Sequence, residues 1–296
     1  MGGGRWEDTG RAAYVSTSAS AARAHHYKEV FTSTEVTEEL NVAKLKGGIR
    51  ESRDSEQNPA SNAIILGLDV TGSMGDIAHQ IAKDGLGKII EGILEQKPVS
   101  DPHILFTAIG DVVYDSTPLQ ASQFEADHRI IEQLNQIYVE GGGGGNSTES
   151  YDLPWYFAAN MTSIDCFEKR KKKGYLFTFG DERPPKGVNE RQLSAIFGSS
   201  NQKGFTSDEA LKAASKKYHV FHVIIEEGWY ASTHQGVAND WKQLMGNRAL
   251  PLDNYRHLPE LVLAAMHVSE GADVKEVIAG HQDASVKESL RHAFGA

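Results

Sequence analysis

The run Ala63-Ile64-Ile65-Leu66-Gly67-Leu68 constrains this chain more than any other segment. Six consecutive residues without a polar side chain break the alternation of a half-exposed strand. They describe a strand covered on both faces, as in the interior of a parallel sheet. The run gives way at once to Asp69-Val70-Thr71-Gly72-Ser73-Met74-Gly75. Gly72 and Gly75 ease a tight turn there. Beyond it, Ile77, Ile81, Ile89, Ile90 and Ile93 recur at helical spacing, which would bury one side of a helix against the sheet.

The same alternation continues along the chain. Strands are expected over residues 103–109, 175–179, 218–225 and 249–252, with a short partner strand around 116–120. Helices are expected over 124–137, 150–160, 189–197, 207–217, 239–245 and 259–268, with Ser207 as an N-cap. This pattern predicts an α/β fold: a doubly wound, mostly parallel sheet with helices on both faces and ligands at the carboxyl ends of the strands. Residues 1–60 lack sustained periodicity; the Ser/Ala-rich stretch 16–22 and the polar stretch 50–61 read as an arm and linker. The expected organisation is an arm over 1–60, a domain over 61–270 and a helical tail over 271–296.

Three loops that follow expected strands or helices are rich in oxygen ligands. The first holds Asp69, Thr71 and Ser73. The second is the five-glycine run 141–145 and its exit, Asn146-Ser147-Thr148-Glu149-Ser150. The third holds Asp181, just after the 175–179 strand. Carboxylates and hydroxyls without His or Cys suit a hard cation, Mg²⁺ or Mn²⁺, better than zinc. Residues i, i+2 and i+4 of a turn leaving a strand can converge on one point, and a doubly wound sheet would open all three loops on one edge. Asp111 and Asp115 follow the second strand on that edge and read as turn residues.

The segment Ile64–Met74 resembles the first strand and metal motif of the von Willebrand factor A family, whose metal-ion-dependent adhesion site is built on D-x-S-x-S, a threonine from a second loop and an aspartate from a third. Asp69 and Ser73 match directly, and Thr71 keeps the hydroxyl of the middle serine. Aligning Gly144-Gly145-Asn146-Ser147-Thr148 with the family's G-G-x-x-T makes these residues the ligand-binding loop and gives Thr148 the second-loop position. Asp181 takes the third, although Thr178-Phe179-Gly180-Asp181 stands one residue out of step with the family's T-D-G. The resemblance spans about residues 61–270. It implies that Ser73, Thr71 and Thr148 touch the metal, that Asp69 and Asp181 act directly or through water, and that one coordination position stays open for a partner's Asp or Glu. The chain is also similar to bacterial stand-alone A domains, some of which work beside AAA+ ATPases of the MoxR type.

Composition narrows the remaining classes. Forty Asp and Glu against thirty Lys and Arg leave a net charge of −10, which opposes nonspecific nucleic-acid binding. No apolar run approaches a membrane span, and Met1–Glu7 lacks the apolar core of a signal peptide. The single cysteine, Cys166, cannot form an internal disulfide and reads as a small buried side chain. A cytoplasmic location is therefore expected. The glycine run lacks the Gly-Lys-Ser/Thr of a phosphate loop; it reads as a flexible linker or, favoured by its place before a site-bearing segment, as a tight loop beneath the metal. The basic run 169–173 reads as a solvated helix end, and His219 and His222 as packing residues on opposite strand faces. Two hydrolase alternatives fit less well. A nucleophile elbow at Ser73 wants a small residue where β-branched Thr71 stands. A dehalogenase-type phosphatase at Asp69 wants a second Asp at that same position. The expectation is a protein-binding domain without enzymatic activity.

Overall fold

The computed structural model describes residues 5–6, 31, 33–45, 48–140, 147–198 and 203–296. The apolar run forms the central strand, β2 (Asn62–Asp69), and all eight of its residues are buried. The turn after it leads into α1 (Gly75–Gln80), a single π turn over Ile81–Gly85, and α2 (Leu86–Gln96). The chain then adds β3 (Pro102–Ile109) beside β2, and β4 (Leu119–Ala121) antiparallel beside β3. It returns through α3 (Arg129–Asn135) and α4 (Asp152–Asn160) to β6 (Gly174–Gly180), which pairs with the other side of β2. From β6 the sheet grows outward again, through β7 (Tyr218–Ile225) to β8 (Ala249–Leu252). The order is β4–β3–β2–β6–β7–β8, with every pair parallel except β3–β4. Outward growth in two directions from β2 leaves a crevice between the carboxyl ends of β2 and β6, the switch point where such sheets receive ligands.

Each face of the sheet is covered by helices because strand residues alternate sides. Ile64, Leu66 and Leu68 enter the core shared with α1, α2, α10 (Leu258–Ser269) and α12 (Ala284–Phe294). Ala63 and Ile65 enter the opposite core, with α4, α6 (Glu190–Phe197), α7 (Ser207–Lys217) and α9 (Val237–Met245). None of the described helices is long and apolar enough to cross a membrane.

Several local expectations need correction. Part of the 50–61 stretch is not a linker: β1 (Arg50–Ser52) pairs in parallel with β5 (Thr162–Ile164), and Arg50 donates to the carbonyls of Glu39 and Ala121. Leu40 lies in the core, so this part of the amino-terminal region is packed. Three-residue strands paired across a hundred positions leave no periodic trace in the sequence. The helix expected from 124 begins only at Arg129, because Glu125 exchanges backbone hydrogen bonds with Ile104 at 2.8 and 2.9 Å. The cap of α7 is Thr206, which forms a capping box with Glu209, and not Ser207. The basic run does follow a helix end, that of the one-turn helix α5 (Asp165–Glu168), as expected; Lys169, Arg170 and Lys171 are exposed, and surface ion pairs join Lys169 to Asp165, Arg170 to Asp54 and Lys172 to Glu270. The tail 271–296 is helical, as α11 (Val274–Gly280) and α12, and contributes Ile278, Val286 and Leu290 to the core. The stretch 16–22 and the run Gly141–Gly145 lie outside the described residues.

Gly67 shows how tightly the centre is drawn. It lies between Thr107 on β3 and Thr178 on β6, and a Cβ there would stand 2.8 Å from Thr107 Oγ1. Gly67→Val is expected to cost about 1–3 kcal/mol through overpacking, read as a lowered urea midpoint with an unchanged slope.

Candidate metal centre

The site starts where β2 ends. Asp69 is fully buried, and its two oxygens are both engaged. Oδ1 accepts from the Thr71 backbone N–H at 2.9 Å and from Thr71 Oγ1 at 2.6 Å, while Oδ2 accepts from the Tyr151 hydroxyl at 2.5 Å. The turn sets Thr71 Oγ1 3.4 Å from Ser73 Oγ. Positions 69, 71 and 73 therefore converge, as their alternate spacing requires.

Asp181 comes from the neighbouring strand. It follows β6 directly, is fully buried, and accepts from Ser73 Oγ at 2.7 Å through Oδ1. Its Oδ2 accepts from the Tyr230 backbone N–H at 2.7 Å, at the start of α8 (Trp229–Thr233). Gly228 makes this approach possible, since a Cβ there would overlap Asp181. The Trp229 N–H donates to the Ser73 carbonyl at 3.0 Å. The exits of β2, β6 and β7 are thus tied together around one serine. The one-residue offset from T-D-G leaves Asp181 on Ser73.

The second loop reaches the same edge. Thr148 bridges to Arg183, and the Arg183 N–H donates to the Ser147 carbonyl at 3.2 Å, so Ser147 and Thr148 run beside the exit of β6. Gly144, Gly145 and Asn146 lie outside the described residues.

Four further residues belong to the site and were not singled out from the sequence as ligands. Tyr151 holds Asp69 Oδ2 and also accepts from the Glu182 N–H at 3.3 Å; a Cβ at Gly180 would overlap its hydroxyl. Glu149, Glu182 and Asp111 are buried, and each keeps one carboxylate oxygen without a hydrogen-bond partner. The available signal was adjacency: Glu149 follows Thr148, Glu182 follows Asp181, and Asp111 lies at the exit of β3. Asp111 also behaves as the expected turn residue, accepting from the Val113 N–H at 2.8 Å.

Carboxyl groups crowd together at this edge, and burial and their mutual repulsion favour their protonated forms. Burial and the Asp181 carboxylate push the Asp69 carboxyl up to about 7. Burial, then Asp69, Glu182 and Asp111, push Glu149 up to about 10. Burial, then Asp69 and Asp181, push Glu182 up to about 8, and burial raises Asp181. The cation on the adjoining segment, Arg183, is paired with Asp240. His222 lies behind Tyr151 at 4.7 Å and stacks on Trp241; burial drives its pKa well below the usual value, so it stays neutral. Its Nδ1 meets Thr178 Oγ1 at 2.8 Å.

The donor set fits a small hard cation. Adjacent ligands of octahedral Mg²⁺ stand about 3 Å apart, given Mg–O distances of about 2.1 Å. The 2.7 Å from Ser73 Oγ to Asp181 Oδ1 and the 3.4 Å from Ser73 Oγ to Thr71 Oγ1 bracket that edge. Among the described residues no three carboxylate, imidazole or thiolate groups could hold a metal by themselves. Hydroxyls would therefore have to complete the shell, and Thr71 and Ser73 are in place to do so.

No family model and no curated protein matches the chain. Among solved structures, it is similar to the pilus adhesin SpaC from Lactobacillus rhamnosus GG in its open conformation, with 11% identity, TM-score 0.47, and 76% of this chain and 31% of that one covered. Proximal thread matrix protein 1 from the mussel byssus gives 12% identity and TM-score 0.44 over 71% of this chain and 47% of that one. A von Willebrand factor type A structure from Catenulispora acidiphila gives 12% identity and TM-score 0.41 over 72% of this chain and 44% of that one. The chain spans less than half the length of each. The doubly wound, mostly parallel sheet, established by the strand order itself, is the architecture that the A-domain resemblance implied.

Two outcomes follow from this geometry. Folding raises the Asp69 carboxyl from 3.8 to about 7, so the folded protein holds that proton more tightly than the unfolded chain does. Stability from this group is present below about pH 4 and is lost as pH rises through about 7, with Glu182 extending the loss toward about 8. Thermal melts of metal-free protein should therefore show Tm falling between pH 5 and 8, and added Mg²⁺ should restore more of it at the upper end. Tyr151→Phe removes one donor to Asp69 and should weaken Mg²⁺ binding by about tenfold or less, corresponding to about 1 kcal/mol for one hydrogen bond, in titration calorimetry.

Proposed function

We propose that this chain is a metal-dependent protein-binding domain, an adaptor that captures a partner's Asp or Glu on a divalent cation. The observation that carries the reading is the hydrogen bond between Ser73 Oγ and Asp181 Oδ1 across the switch point, beside an Asp69 held by Thr71 and Tyr151. Asp69, Thr71, Ser73, Thr148 and Asp181 would hold Mg²⁺ or Mn²⁺. The bound ion supplies an electrophilic position for an incoming carboxylate. The protein's own contribution is positional: Tyr151 and Thr71 fix Asp69, while the Tyr230 N–H and Gly228 fix Asp181. The local metal charge has to overcome the acidic edge, because a net charge of −10 repels a carboxylate at long range.

The proposal extends to an intracellular setting without membrane or nucleic-acid contact, with an AAA+ ATPase of the MoxR type as one candidate partner. It includes no enzymatic activity. Ser73 Oγ gives its hydrogen bond to Asp181, whereas a serine hydrolase needs an imidazole there. The position two after Asp69 holds Thr71, which lacks the carboxyl group of a phosphatase general acid.

The test combines calorimetry with capture from native-cell extract. Wild type should bind Mg²⁺ and retain a partner that EDTA releases. Asp69→Ala and Ser73→Ala should lose both while keeping the wild-type circular dichroism spectrum. Partner retention that survives EDTA and both substitutions would overturn the reading.

A further inference from the structure

Glu182 is the acid at the candidate centre that the ligand set above leaves unused. It is 5% exposed, and its Oε2 has no hydrogen-bond partner. Its main chain is held on both sides: the N–H donates to the Tyr151 hydroxyl at 3.3 Å, and the carbonyl accepts from Trp241 Nε1 at 2.8 Å. The backbone is fixed while that buried oxygen is left without a donor. Such an oxygen costs free energy until a positive partner reaches it. The cation on the next residue, Arg183, is paired with Asp240.

The Glu182 carboxyl lies against the Ser73 hydroxyl, with Asp69 and Asp181 close by. Ser73 Oγ therefore meets the side chains of two successive residues at the exit of β6, Asp181 at 2.7 Å and Glu182 beside it. Glu149 stands farther round, facing Asp69, Glu182 and Asp111. Asp69 already spends both oxygens on Thr71 and Tyr151. An ion seated on Ser73 would thus meet the carboxyl groups of Asp181 and Glu182 before that of Asp69, with Thr71 Oγ1 alongside. Two carboxylates and two hydroxyls need no set of three acid, imidazole or thiolate groups around the ion, and the described residues hold none.

Resting on the metal-dependent reading above, we propose that Glu182 is a resident ligand: in the free protein its carboxylate takes the position on the ion that a partner's acid would otherwise find open, and the partner has to displace it. Gly72 is exposed and Ser73 half-buried, so that position is reachable from solvent at the turn. A tethered acid acts on the ion at an effective concentration on the order of millimolar or above. A free carboxylate at a comparable concentration gains little against it, whereas a protein that also touches the surrounding turn adds contacts of its own. Glu182 thereby keeps small acids off the ion and reserves it for a protein surface.

Water-proton relaxation of the full chain loaded with Mn²⁺ tests this, because it reports the waters left on the ion. Calorimetry measures Mn²⁺ binding separately, and circular dichroism checks the fold. Glu182→Gln keeps the side chain's shape and removes its charge. This variant should bind Mn²⁺ at least about tenfold more weakly and carry about one more water on the ion. It should lose that water to acetate at about 10 mM, a concentration at which wild-type relaxation stays unchanged. Equal hydration of the ion in the two proteins would overturn the role of Glu182 and leave the metal reading intact. So would loss of ion-bound water to acetate in wild type, a result that needs no variant to fold. A wild type that binds no Mn²⁺ would overturn the metal reading, and this inference with it.

Discussion

The structure at the sheet's carboxyl edge depends on one hydrogen bond, from Ser73 Oγ to Asp181 Oδ1. It joins the turn after β2 to the exit of β6, the two strands between which the winding direction reverses. Other contacts at the edge surround it. Gly228 lets the β7 exit close over Asp181, the Tyr230 and Trp229 amides fasten that exit, and Tyr151 anchors Asp69 from beneath. A side chain at Gly180 or Gly228 would displace the group that each glycine accommodates. Close backbone approach is the condition that the site places on its surroundings.

That closeness has an electrostatic consequence. Asp69, Asp111, Glu149, Asp181 and Glu182 are buried near one another, and the neighbouring Arg183 is directed to Asp240. Buried carboxylates without a counter-charge cost free energy in their ionised form. A divalent cation would offset that cost, and the proposed function is the use of its remaining valence.

The main elements were legible because their signals are local. The run 63–68 contains no polar residue, and a strand buried on both faces follows from that alone. The strand and the helix over 218–225 and 207–217 appear at the expected positions. Other signals were not local. β1 and β5 are three residues each and pair across more than a hundred positions, and residues 124–128 prefer a bridge to Ile104 over the helix that their composition suggests. Asp69, Thr71, Ser73 and Asp181 were found because spacing and strand ends mark them. Tyr151, Glu149 and Glu182 were not: adjacency to Thr148 and Asp181 was the only trace of the two glutamates, and their burial is set by tertiary packing.

The sequence by itself determined the alternation of strands and helices, the central strand and the turn that brings three oxygen-bearing side chains together. These follow from hydrophobic periodicity and from the steric freedom of glycine, which act within a few residues. Only the tertiary structure decided which side chains surround that turn. The order β4–β3–β2–β6–β7–β8 sets Asp181 on Ser73 and gathers five buried carboxyl groups at one edge. Strand order is a global property of packing, and the field and shape of the site are consequences of it.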